Sequence, residues 1–244
     1  MKIAGVDRPA LGRTFDALQA KMHGCASLEQ AAQACTDGLY TQFKESLVLA
    51  RVYASVPFRS LPAPNKAFVE ALLSSKGVPH LLKPETPVLS LLGTCGVEAD
   101  WNDRRKSKGH VGIPLAGSVF VSAIPMIARL LDDIGAGLGW LDRPSQGIDV
   151  RKGLLAGVFY VEDAATSTDQ QGRQIIPAQD FVKQHQVKTV FGIGAAYMEG
   201  TLLSVIAFTR DALPKATAEQ FMPLGNVFKM ATATCVKSGA IFAG

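Results

Sequence analysis

Two apolar runs between Lys188 and Arg210 stand only four residues apart. KTVFGIGAA (188–196) and TLLSVIAFTR (201–210) are rich in β-branched and aromatic residues, as strands are. The link, Tyr197–Gly200 (YMEG), is too short for the crossover that parallel strands need. The pair is therefore predicted to be an antiparallel hairpin. Strict β-α-β alternation fails here, which weakens a doubly wound nucleotide-binding fold.

Three further strands are predicted upstream: Ser46–Ser55 (SLVLARVYAS), Thr86–Gly96 (TPVLSLLGTCG) and Gly153–Asp163 (GLLAGVFYVED), with a short one at Val111–Leu115. Helices alternate with them. Ser27 and Gln30 form a capping box, after which Leu28, Ala31, Ala32, Cys35, Leu39 and Phe43 recur on one face. Lys66–Lys76 reads as a short helix closed by Gly77. Ser118–Ile134 reads as another, which Pro125 kinks or displaces. The last starts at Thr217, with Gln220 completing a second capping box and Pro223 in its first turns. Its apolar stripe is Phe221, Leu224, Phe228, Ala231 and Cys235. Val97–His110, Gly135–Gly147 and Ala164–Pro177 read as loops. The expected organisation is an N-terminal arm or short helix over 1–26, one α+β domain over 27–236 around a mainly antiparallel sheet, and a tail over 237–244.

Composition narrows the class. With 48% hydrophobic and 19% charged residues, the 244-residue chain has ample material for a packed core. A net charge of +4 is too small to argue for nucleic acid. The four cysteines include no C-x-x-C pair, and charges at Asp7, Arg8, Arg13 and Asp16 interrupt the N-terminus where a secretory signal would be apolar. Reduced cysteines in the cytoplasm are the expectation. Gly109–Ala128 carries no Asp, Glu, Lys or Arg, but His110, Gly112, Pro114, Gly117 and Pro125 are turn chemistry. A strand, a turn and a helix fit it better than a membrane span.

The strand ending FYVEDAATSTD, the 188–210 hairpin and the following TAEQFMPL resemble the second half of a GAF domain. Ser27–Ser55 resembles that family's opening helix and first strand. TPVLSLLGTCGVEADWNDRRKSKGHVGIPL, IPMIARLL and IIPAQDFV resemble a GAF-type module of bacterial signalling proteins. The resemblance spans roughly 27–236. It implies a GAF/PAS-like central antiparallel sheet of five to six strands, flanking helices and a ligand cavity. It also implies a stand-alone cytoplasmic sensor or regulatory module in signal transduction. Such a module would bind an unidentified small molecule, contact a signalling protein and form a homodimer through Ser27–Phe43 and Thr217–Val236. No cofactor is named by it. A covalent bilin would call for a Cys-His dipeptide, and none exists; Asn65-Lys66 opens a cyclic-nucleotide motif that Ala67-Phe68-Val69 does not continue.

Candidate ligand-binding residues are Trp101, Arg104, Arg105, His110, Phe159, Val161, Ile176 and Phe181. Arg and Lys in WNDRRKSKGH (101–110) can clamp an anion, and Trp101 can stack on a planar group. Arg104 and Arg105 are preferred to Lys106 and Lys108, because a planar fork matches carboxylate or phosphate. Their replacement by alanine is expected to weaken anion binding and spare folding. Phe159 and Val161 share one strand face, and Ile176 and Phe181 come from the loop that lids the pocket in the family. The plainer alternative is that loop arginines are solvated and apolar residues are core. No catalytic or metal-ligating residue is assigned: His110 has no partner at ligand spacing, and the glycine pairs at 135–139 and 192–194 lack the full dinucleotide fingerprint. Two other functions stay open, an interaction or dimerisation module without ligand and a thiol-dependent GAF-type reductase using Cys95.

Overall fold

The structure is a computed structural model that describes residues 1–107, 109–142 and 155–243. Six strands are present: β1 (Leu47–Pro57), β2 (Pro87–Gly96), β3 (Gly112–Pro114), β4 (Ala156–Val161), β5 (Val190–Ala196) and β6 (Leu202–Thr209). They form one antiparallel sheet in the order β3-β2-β1-β6-β5-β4. The expected hairpin is β5–β6, with Val190 opposite Phe208 and Ala196 opposite Leu202. Gly200 closes its turn at φ +86°, a conformation in which a side chain is strained.

Eight helices accompany the sheet among the described residues: α1 (Arg8–Met22), α2 (Leu28–Phe43), α3 (Ala63–Ser75), α4 (Ser118–Ser122), α5 (Pro125–Asp133), α6 (Gln179–Gln184), α7 (Lys215–Glu219) and α8 (Pro223–Lys237). Alternation along the strands separates the two larger cores, and a smaller third one, with Val56, Val69, Leu73 and Val88, lies at α3. Ala50, Val52, Leu92, Ile193 and Val205 face α1, α2 and α8. There Phe15, Phe43 and Phe191 surround Phe221, with ring centroids 5.1–6.0 Å away. Leu89, Leu91, Phe159, Val190 and Ile206 face the opposite way, toward α5 and α6. Gly93 explains how closely α2 lies on the sheet, because a Cβ there would overlap the Ala32 backbone.

The α+β antiparallel architecture agrees with the sequence reading. Several local features differ. The segment read as an arm or short helix contains the 15-residue α1, capped by Asp7, whose carboxylate accepts the Ala10 N–H at 2.7 Å. Its Leu11, Phe15, Leu18 and Met22 are buried in the same core as α2 and α8. The segment read as a tail also docks: the carbonyls of Ala240 and Ile241 accept from the first N–H groups of α2, Leu28 and Glu29. Ser27 caps α2 as expected, through the Gln30 N–H, but Gln30 Oε1 accepts from Ala26 rather than Ser27. The Thr217 cap is not made; α7 starts after Pro214, and Pro223 begins a separate α8. Pro125 likewise splits 118–134 into α4 and α5. The loop over Gly135–Gly147 and the strand from Gly153 run partly outside the described residues, as does Lys108. Among the described residues no helix is long and apolar enough to cross a membrane; Gly109–Ala128 forms β3, a turn, α4 and the start of α5.

Candidate functional site

A cavity of about 310 Å³ lies over the β2-β1-β6 half of the sheet. Its formation follows from how α5 is seated. The C-terminal end of α5 presses onto β4 and β5 at two bare glycines: a Cβ on Gly157 would overlap the Asp133 carbonyl, and one on Gly194 the Ile134 side chain. The other end of α5, with Ile124, Met126, Ile127 and Leu130, stands over the cavity instead. Leu49, Arg51 and Tyr53 of β1 and Ser204, Ile206 and Phe208 of β6 make the floor. Trp101, Lys106, Ser107, Gly109 and His110 close one side, and Ile176, Pro177, Ala178 and Phe181 another. The Trp101 and Phe181 rings meet edge-on at 5.5 Å, and Phe181 meets Phe208 at 5.4 Å.

The walls are mainly apolar, so the polar groups stand out. Arg51 donates from Nη1 to Tyr53 Oη at 3.2 Å and from Nη2 to Ser107 Oγ at 3.3 Å. Its buried Nε has no partner among the described residues. The Ser204 hydroxyl, on a residue 2% exposed, has none either. Tyr53 stands opposite Ser204 and Arg51 opposite Ile206, so Arg51 and Ser204 are diagonal neighbours across two strands. No carboxylate among the described residues is ion-paired with Arg51.

His110 sits at the exposed rim with φ +58°, an uncommon backbone for a residue with a Cβ. Loss of water around the imidazole, and then the Arg51 cation, lower its pKa below the ordinary 6.5. The unfolded chain therefore binds this proton more readily than the fold does. His110's contribution to stability is full above pH 6.5, starts to fall below it, and is lost as pH drops through the lower folded-state pKa. In an NMR titration the His110 imidazole is expected to have its midpoint below 6.5, and Arg51→Gln to raise it. An unmoved midpoint in that variant would remove Arg51 as a cause.

Of the residues chosen from sequence, Trp101, His110, Ile176 and Phe181 line the cavity. The other four do not. Phe159 and Val161, at 0% and 1% exposure, belong to the core beneath α5. Arg104 and Arg105 do hold an anionic group, but it is Glu29 of α2, at 2.7 and 3.1 Å. Arg104 is 8% exposed and also lies over the Phe242 ring at 5.2 Å. Its replacement by alanine is thus expected to cost stability rather than spare folding. Arg51, Ser204 and Tyr53 were not singled out by the sequence reading. The available signal was the single charge in SLVLARVYAS, an arginine in a strand that is otherwise apolar.

Cys95 lies outside the cavity lining and faces α2. Burial and then the Asp37 charge push its thiol up to about 12, which opposes the thiolate that a nucleophile needs. All four cysteines are free. Among the described residues no three His, Cys, Asp or Glu side chains cluster as metal ligands would.

Comparison with known proteins supports the fold. The GAF domain of a phosphoenolpyruvate-protein phosphotransferase from Coxiella burnetii superposes with a TM-score of 0.51 at 8% identity, covering 97% of this chain and 100% of that one. A free methionine-R-sulfoxide reductase from Neisseria meningitidis, in complex with its substrate, gives 0.49 at 10% identity over 96% and 95% of the two chains. The GAF domain of an Acinetobacter phosphoenolpyruvate-protein phosphotransferase gives 0.48 at 11% identity over 95% and 98%. No protein-family model and no curated protein matches the chain. At such identities the likeness concerns fold alone, and the fold is GAF-like.

Proposed function

We propose that this GAF-like domain is a small-molecule sensor or regulatory module of signal transduction. The observation that carries this reading is the cavity of about 310 Å³, whose mostly apolar walls converge on a few polar groups. Its volume is at the lower end of the ~300–1,000 Å³ usual for ligand pockets, so it suits a small ligand. The lining also supplies a route by which occupancy would reach the helices. Asp100, Trp101, Lys106 and Ser107 contribute to one wall, and Arg104 and Arg105 between them are tied to Glu29 on α2, Arg104 also to Phe242 near the C-terminus. A ligand that moves this wall acts on both anchors.

A cytoplasmic setting and pairing of two copies are part of the proposal. Free cysteines, three of them buried, suit a reducing compartment. Pairing would use α8, where Met230 is 73% exposed, rather than α2, which is covered by the sheet and by α1. Burial of Cys95 speaks against the thiol-reductase alternative. Native mass spectrometry beside a denatured spectrum tests the reading. A non-covalent mass added to the chain, or a raised Tm with compounds from a metabolite library, is the expected result. A bare chain whose Tm no compound raises would count against a sensor, and the same spectrum reports monomer or dimer.

A further inference from the structure

We propose that the ligand is a small organic acid whose single carboxylate sits against Arg51 and Ser204, with its apolar, planar body between the Trp101–Phe181 wall and α5. This inference rests on the small-molecule reading above and specifies its chemistry.

Three observations carry it. The first is an uncompensated cation. Arg51 projects from the middle strand pair into a mostly apolar cavity, and no carboxylate among the described residues is ion-paired with it. By contrast, Arg104 and Arg105 share Glu29, and Arg59, Arg129 and Arg173 are each paired with a carboxylate. Arg51 is only partly exposed and its Nε is buried; a poorly solvated charge without a counter-charge is costly, and a bound anion would supply one. The second is the pair of orphaned polar atoms. Arg51 Nε and Ser204 Oγ are buried and unpartnered, on side chains that are diagonal neighbours across β1 and β6. A guanidinium edge presents parallel N–H groups that match the two oxygens of a carboxylate, and the hydroxyl can donate to one of them. The third is the rest of the lining. Trp101, Phe181 and Phe208 on one side and Ile127 and Leu130 on the other offer an aromatic slot for a ring or a branched chain. Beyond Arg51, the lining carries the cationic Lys106 at the exposed rim, where His110 and Asp100 also stand. One cation on the cavity floor suits one carboxylate better than a polyphosphate.

The test uses the purified full chain and named probes. Benzoate, phenylacetate, 3-phenylpropionate and 4-methylpentanoate are titrated beside their primary amides and inorganic phosphate, with calorimetry and tryptophan fluorescence as readouts. At least one acid is expected to bind at least tenfold more tightly than its amide, the loss that a charge-assisted contact implies. Arg51→Gln should remove that tenfold preference, Arg51→Lys should retain part of it, and Ser204→Ala should weaken the acid severalfold while leaving the amide unchanged. Ser204→Ala only removes an unpartnered hydroxyl, so it keeps the test valid should Arg51→Gln misfold. Amides that bind as tightly as acids would overturn the carboxylate assignment and leave the cavity a ligand site. Tighter Arg51-dependent binding of phosphate than of any acid would overturn it in favour of an inorganic anion. Failure of every acid and amide up to about 10 mM would overturn it as well. Failure of the sensor reading itself shows separately, as a bare mass in the native spectrum with no compound raising Tm.

Discussion

Glu29→Ala is expected to destabilise the domain by about 3–5 kcal/mol, because it strands a buried cation. Glu29 is 5% exposed on α2, and its Oε2 accepts from Arg104 Nη2 at 2.7 Å and from the Ala243 N–H at 2.9 Å. Arg104 is 8% exposed, and its Nε already lacks a partner. With the carboxylate gone, the guanidinium keeps the Phe242 ring but no ion-paired carboxylate among the described residues, and the C-terminal residues lose an anchor. The pair as a whole contributes far less than its disruption costs, since desolvation offsets most of the attraction. Glu29→Leu combined with Arg104→Met should therefore recover most of the loss. Urea unfolding at equilibrium measures both. A single-variant loss under about 1 kcal/mol, the scale of a solvated pair, would show that this ion pair is not buried in solution.

Phe159→Ala is expected to cost a similar ~3–5 kcal/mol, through a cavity left in a close-packed core. Its ring is fully buried and its strand partner is Gly192, so no neighbouring side chain from that position can fill the gap. Phe181→Ala should behave differently. That ring is partly exposed, touches Trp101, His185 and Phe208, and lines the cavity. Loss of its ring contacts should cost about 1–2 kcal/mol of stability and weaken the aromatic acids named above. Phe159→Ala should leave their affinity unchanged wherever the variant is folded. The two phenylalanines are thus separable by unfolding and titration. Equal effects of both on affinity would mean that the cavity extends beneath α5.

Much of the fold was legible in the chain because its signals are local. Strand-forming runs, the short YMEG link and the Ser27 cap each act within a few residues. Pro125 broke 118–134 as a missing N–H and a fixed φ require, and Pro223 did the same further on. The helix α1 was harder to read. Leu11, Phe15, Leu18 and Met22 do recur at helical spacing, but the mean hydropathy of the segment is low, and its helicity is supported by docking on α2 and α8.

The candidate site divides along the same line. The residue types in 101–110 pointed to an anion, and two arginines there do hold one, but the partner lies 75 residues away in Glu29. Strand alternation placed Phe159 and Val161 on one face without saying whether α5 would cover it. Two glycines, Gly157 and Gly194, let α5 settle there, and the space was left over Arg51 and Ser204 instead. The sequence by itself determined the α+β class, the hairpin and most strand boundaries, since backbone sterics and periodicity act between near neighbours. Which arginine is paired and which faces an open cavity was decided only by tertiary packing. That outcome depends on how closely a helix can approach a sheet, and on charges brought together from distant parts of the chain.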